Sequence, residues 1–172
     1  MFLKRFRDKS NQKYINNILK SQKRVVHDRK IQTVGILLNF EEFNNLDQMR
    51  LLVKSIGIKD NRVKIISFIE DDKTKPNSWD SFFNPKDFSW KGKIKNTELE
   101  GFIQTEFDAL ICYFQKDCLE LNMVTACSEA NFKIGLSDHD PRLFDLIIDV
   151  EPRHLSVFKN EIQKYLKVLN KI

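Results

Sequence analysis

The chain of 172 residues is poor in glycine and proline, with five of one and four of the other. No glycine falls in a GxGxxG or GxxxxGK[ST] pattern: Gly35 lies inside an apolar run, and Gly57 and Gly92 stand alone. The tight turn that lets backbone N–H groups cradle a dinucleotide or a nucleoside triphosphate is therefore missing. Cysteine is scarce too. Cys112, Cys118 and Cys127 make an odd count with no CxxC pair, which argues against a disulfide framework and suits a reducing cytosol. Cys112 sits in an apolar strand and Cys127 on an apolar helix face, so both read as small core residues. The histidines (His27, His139, His154) show no HxxxH, HExxH or Cys/His ligand spacing. There is no GxSxG elbow, and Cys118 has no evident His base. No apolar run reaches 18 residues, so no transmembrane helix is expected. The first residues, MFLKRFRDK, carry charge but no apolar h-region and do not read as a secretory signal.

What is abundant is phenylalanine, 14 residues, and charge, 31% of the chain, with 41% hydrophobic residues to build a core. The charge is unevenly placed. Residues 1–30 hold ten of the 29 Lys/Arg but two of the 24 Asp/Glu, giving that segment +8 and the remainder −3. Such a split suggests a basic interaction arm, 1–30, attached to a mildly acidic domain, 31–172.

Along the chain, 9–29 lacks Gly and Pro and reads as a helix with a narrow stripe of Ile15, Ile18, Leu19, Val25 and Val26. QTVGILLNF (32–40) is a near-continuous apolar run, as in a central parallel strand. A helix over 42–55 and a strand RVKIISFI (62–69) complete one β-α-β unit. The stretch 70–96 is irregular and carries Trp79, Phe82, Phe83, Phe88 and Trp90, with FSWKGKIK (88–95) as a possible edge strand. A weak helical turn at 96–105 points Leu99, Phe102 and Ile103 inward. Next come a strand at 109–114, a helix capped by Asp117, and a strand at 132–136. DLIIDV (145–150) is a last short strand, and a helix runs from Pro152 to the end. The order predicts an α/β fold, a three-layer Rossmann-like sandwich with a mostly parallel sheet, preceded by a basic N-terminal helix. The link before the last strand is too short for a helical crossover, so that strand is expected to be antiparallel or displaced to an edge.

Ligands of open parallel sheets sit beyond the carboxyl ends of the strands. Those ends supply Asn39 and Glu41, then Glu70, Asp71 and Asp72, then Gln115, Lys116 and Asp117, then Ser137, Asp138, His139 and Asp140. Asp71, Asp72, Asp138, His139 and Asp140 form a candidate ligand loop, since carboxylates with one His suit a hard cation or acid–base work. Asp and Ser are equally ordinary turn residues. No specific cofactor or metal is indicated.

The segments FSWKGKIK (88–95), FDALICYF (107–114), ACSEANFKIGL (126–136), FDLIIDV (144–150) and KYLKVLNKI (164–172) resemble an uncharacterised family of this length from Bacteroidota bacteria, a domain of unknown function. The basic N-terminal helix fits that family's layout. The resemblance implies a cytosolic bacterial protein and transfers no catalytic residue. FDALICYF with ACSEANFKIGL is also similar, at the level of fold, to the nucleotide-sugar half of heptosyltransferase-type enzymes, which are about twice this size.

Three functional readings follow. The first is a non-enzymatic cytoplasmic protein whose basic helix contacts RNA or a ribonucleoprotein such as the ribosome. Lys4, Arg5, Arg7, Lys13, Lys20, Lys23 and Arg24 then neutralise phosphates, and Trp79 or Trp90 stacks on bases. The second is a small-molecule, nucleotide or nucleotide-sugar domain, with or without catalysis, using the loops after the strands. The third is a peripheral membrane protein held on anionic lipid by the arm.

Overall fold

The computed structural model describes residues 2–21, 24–71, 80–136 and 140–172. Six strands, β1 (Val34–Asn39), β2 (Val63–Phe68), β3 (Phe82–Phe83), β4 (Ala109–Tyr113), β5 (Phe132–Gly135) and β6 (Leu146–Ile147), lie in the order β3-β2-β1-β4-β5-β6. Every neighbouring pair is parallel. Val34 pairs with Val63 on one side and Ala109 on the other. β1 is buried at all its positions, as a central strand covered on both faces must be.

The pleat sends alternate residues into two separate cores. Ile36 and Leu38 join α2 (Leu46–Ser55) and α5 (Leu155–Val168), where Met49, Leu52, Val53, Phe158, Ile162 and Leu166 are buried. Leu37 joins the opposite core with α1 (Phe2–Ser21), α3 (Thr97–Ile103) and α4 (Leu119–Cys127), through Ile15, Leu99, Phe102, Leu121 and Val124. This is the three-layer Rossmann-like sandwich that the sequence predicts, with a basic helix ahead of it.

Several local expectations are revised. The basic helix spans Phe2–Ser21 rather than 9–29. Ile15, Ile18 and Leu19 do face the core, but Val25 is 72% exposed and Val26 packs against the other core. From Arg24 the chain is a non-helical strap along the sheet's lower edge, held by the Asn131 side chain and by one main-chain bond to Lys171. His27 exchanges hydrogen bonds with the Asn131 amide, and Ile31 N–H donates to the Lys171 carbonyl. The stretch 88–95 is not a sheet strand. Phe88 and Ile94 form one antiparallel bridge around a turn at Trp90–Gly92, where Lys91 and Gly92 take left-handed φ of 55° and 72° and reverse the chain. The edge position falls to β3. Cys118, not Asp117, stands at the N-cap of α4, since the Asp117 carboxylate is taken by the Asn122 amide. β6 is at the edge, and it is parallel. Only Ile134 and Gly135 pair with it, so the chain retraces about 7 Å of strand and needs no helical crossover.

Candidate nucleic-acid interface

In this strand order the chain turns outward in both directions from β1 and β4, and the crevice beyond their carboxyl ends is where Rossmann-like domains hold ligands. Here that crevice is a cavity of about 200 Å³ lined by Asn39, Glu41, Glu70, Lys116, Asp117 and Glu120, with Lys4 and Asp8 of α1 closing it. Two of the main-chain donors at this end of the sheet are already used. The Glu42 carboxylate accepts from the Gln115 N–H at 3.1 and 3.2 Å and from the Lys116 N–H at 3.0 Å. An internal carboxylate thus holds the donors that would otherwise face an anion. The Lys116 ammonium lies 3.6 Å from Glu70 and 3.8 Å from Glu41. Cys118 also lines the cavity, but burial pushes its thiol up to about 12, so it is no thiolate nucleophile near neutral pH.

Of the candidate ligand loop, only Asp71 and Asp140 are among the described residues. Asp71 follows β2 and Asp140 follows β5, and two strands lie between, three spacings or about 14 Å. Asp140 caps the turn Pro141–Leu143 and pairs with Arg142 at 2.7 Å, which holds its carboxyl below the ordinary value. Asp72, Asp138, His139, Trp79 and Lys23 lie outside the described residues. No group of three or more His, Cys, Asp or Glu suited to a metal occurs among the described residues.

At the opposite end of the sheet, the strap uses up the second part of the basic arm. Arg24 donates to the carbonyl of Asn131 and pairs with Asp145 at 2.8 Å. Arg29 pairs with Asp108 at 2.8 Å, and Lys30 donates to Asn170 and to the Ile172 main-chain oxygen. Arg24, expected among the phosphate contacts, therefore belongs to the fold's internal bracing.

The first part of the arm faces out. Lys4, Arg5, Lys13 and Lys20 are exposed on α1, and Arg7 is half-buried, 3.6 Å from Asp8. Lys9, not among the phosphate contacts expected from the sequence, is also exposed. Arg5, Lys9 and Lys13 recur every four residues and make one row along the helix, about 6 Å per step. The turn bearing Trp90 docks beside this helix. The Gly92 N–H donates to the Asn11 side chain at 3.0 Å, the Lys91 N–H to the Ser10 hydroxyl at 3.3 Å, and the Tyr14 ring lies directly over Gly92. A groove of about 390 Å³ opens between them, walled by Leu3, Lys4 and Arg7 on one side and Phe88, Ser89, Trp90 and Lys95 on the other. Trp90 is 47% exposed, Phe6 52% and Leu3 75%. Phe88 roots the turn, stacking edge-on against Phe83, which meets Phe68 of β2. Two elements some eighty residues apart in sequence thus present cations and an indole to one groove. Lys91 and Lys93, alternating with Lys95 along the turn, are exposed as well. The only trace of them in the sequence is the spacing in WKGKIK.

Fold and surface together define a Rossmann-like α/β domain whose crevice has two of its main-chain donors held by Glu42 and whose N-terminal helix offers a cationic, aromatic face. The chain belongs to the family described as Family of unknown function (DUF6913), which matches residues 7–169. No curated protein and no solved structure matches it. No helix among the described residues is long and apolar enough to cross a membrane.

Proposed function

We propose that the protein is a non-enzymatic binding protein that contacts RNA, alone or within a ribonucleoprotein, through the outward face of α1 and the Trp90 turn. The observation that carries this reading is the convergence of Lys4, Arg7, Trp90 and Lys95 on one groove, with the row Arg5, Lys9 and Lys13 exposed on a further face of the same helix. Cations at about 6 Å intervals suit successive phosphates of one strand, and such contacts position a polyanion without reading its bases. The nucleotide-binding alternative is weakened by Glu42, which holds two of the main-chain donors of the crevice. The test is a filter-binding titration of total RNA with the intact chain and with R5E/K9E/K13E. The triple variant should lose at least tenfold in affinity while its circular dichroism stays unchanged. Unaltered retention would overturn the proposal.

A second reading, attachment to anionic lipid, draws on the exposed Leu3 and Phe6 beside the same cations. Flotation with phosphatidylserine vesicles at low salt distinguishes it: co-flotation of the intact chain, lost in L3S/F6S, would favour lipid over RNA.

A further inference from the structure

Resting on the RNA reading, we infer that the groove between α1 and the Trp90 turn selects single-stranded over double-stranded RNA. A stripe of cations alone would not discriminate, because both forms present a line of phosphates. The discrimination comes from what stands next to the stripe. On α1, Leu3, Arg7 and Tyr14 lie towards the Trp90 turn, Arg5, Lys9 and Lys13 lie away from it, and Phe6 falls between the two sets by helical spacing. A strand whose phosphates follow Arg5, Lys9 and Lys13 therefore turns its bases towards Phe6 and Trp90. An indole with half its surface in solvent offers a stacking face to an unpaired base of any identity. In a duplex those faces are buried in the base stack, and only the phosphate contacts remain.

The position of Trp90 is fixed rather than left to a mobile tip. The Ser10 and Asn11 side chains clamp the two N–H groups that follow it, and the backbone beneath is closed by the Ser89 N–H to Lys93 carbonyl bond at 2.8 Å. Lys95 walls the same groove as Trp90, and Lys91 and Lys93 are exposed on the same turn, so a stacked nucleotide keeps its own phosphate near a cation.

The experiment is a fluorescence-anisotropy titration of the full chain with one labelled 12-nucleotide RNA, free and annealed to its complement. W90A and R5E/K9E/K13E are measured alongside the wild type. The single strand is expected to bind at least tenfold more tightly than the duplex. W90A should lose roughly tenfold for the single strand and little for the duplex, and the charge-reversal variant should lose affinity for both. Equal binding of the two forms, or W90A indistinguishable from wild type on the single strand, overturns the selectivity while leaving the RNA reading intact. Failure of wild type to bind either form overturns both. Because W90A removes a half-exposed ring, its folding is checked by melting temperature, and W90F should recover most of the lost affinity if stacking is the cause.

Discussion

Lys133 is the least expected residue in the fold: a lysine 1% exposed, its ammonium donating at 2.6 Å to the Thr125 carbonyl in α4. Burial, with the Arg24 charge nearby, lowers its pKa to about 8, while Cys112, Asp145 and Cys127 pull the other way. Between that value and the ordinary 10.5, the unfolded chain holds a proton that the folded chain has released. This residue's contribution to stability therefore rises with pH across that window, and below pH 8 the cost of the buried charge is fully present. Above pH 9 the thiols act oppositely, since burial lifts Cys112 and Cys118 to about 12 and Cys127 to about 11. Comparing K133M with wild type isolates the lysine. Denaturant titrations should show K133M more stable by about 1–2 kcal/mol at pH 7, the gap closing by pH 10.5. A gap independent of pH would mean that packing, not charge, sets the difference. Asp108 makes the opposite case. One oxygen accepts from the Gln32 and Thr33 N–H groups and the Thr33 hydroxyl, while the other pairs with Arg29. D108A strands those donors and should cost about 2–4 kcal/mol in urea unfolding.

At the scale of elements, the joint between α1 and the Trp90 turn is the part on which the proposed function depends. Gly92 sits at φ 72°, and a Cβ there would stand 2.3 Å from the Tyr14 ring. G92A must therefore displace Tyr14 or reverse the turn. It should lower the melting temperature by several degrees and weaken RNA binding at least as much as W90A does, although it removes no contact group. A variant that melts early but binds normally would detach the groove from function. This joint also shows where sequence reading stopped. The principal strands and helices of the α/β core were legible because apolar periodicity reports which face of each element is buried. Val34–Asn39 and the Phe158, Ile162, Leu166 stripe needed no partner to be recognised. The groove was not legible, because Asn11 and Gly92 are unremarkable alone and become informative only when tertiary packing brings them together. The helix boundary failed for a related reason: nothing local to Val25 and Val26 reveals that Asn131 and Lys171 pair with the strap.

For the whole molecule, the +8 of the first thirty residues looks in the sequence like one arm with one purpose. The fold divides it. Arg24 and Arg29 neutralise Asp145 and Asp108 at the foot of the sheet, whereas Arg5, Lys9 and Lys13 face solvent with no such duty in the core. Truncating the entire segment would therefore remove Ile15 from one core and Val26 from the edge of the other, and unfold the domain before binding was tested. Salt dependence separates the two halves without that confusion. Each phosphate neutralised on a single strand contributes about −0.7 to the slope of log affinity against log salt concentration. Six contacts from α1 and the turn would give a slope of about −4, and R5A/K9A/K13A should flatten it to about −2 with little change in stability. R24A/R29A should do the reverse, keeping the slope but losing stability by about 2 kcal/mol or more, because Asp145 and Asp108 lose their arginine partners. If R24A/R29A flattens the slope while unfolding normally, the strap belongs to the interface, and the division of the basic segment drawn from these ion pairs is wrong.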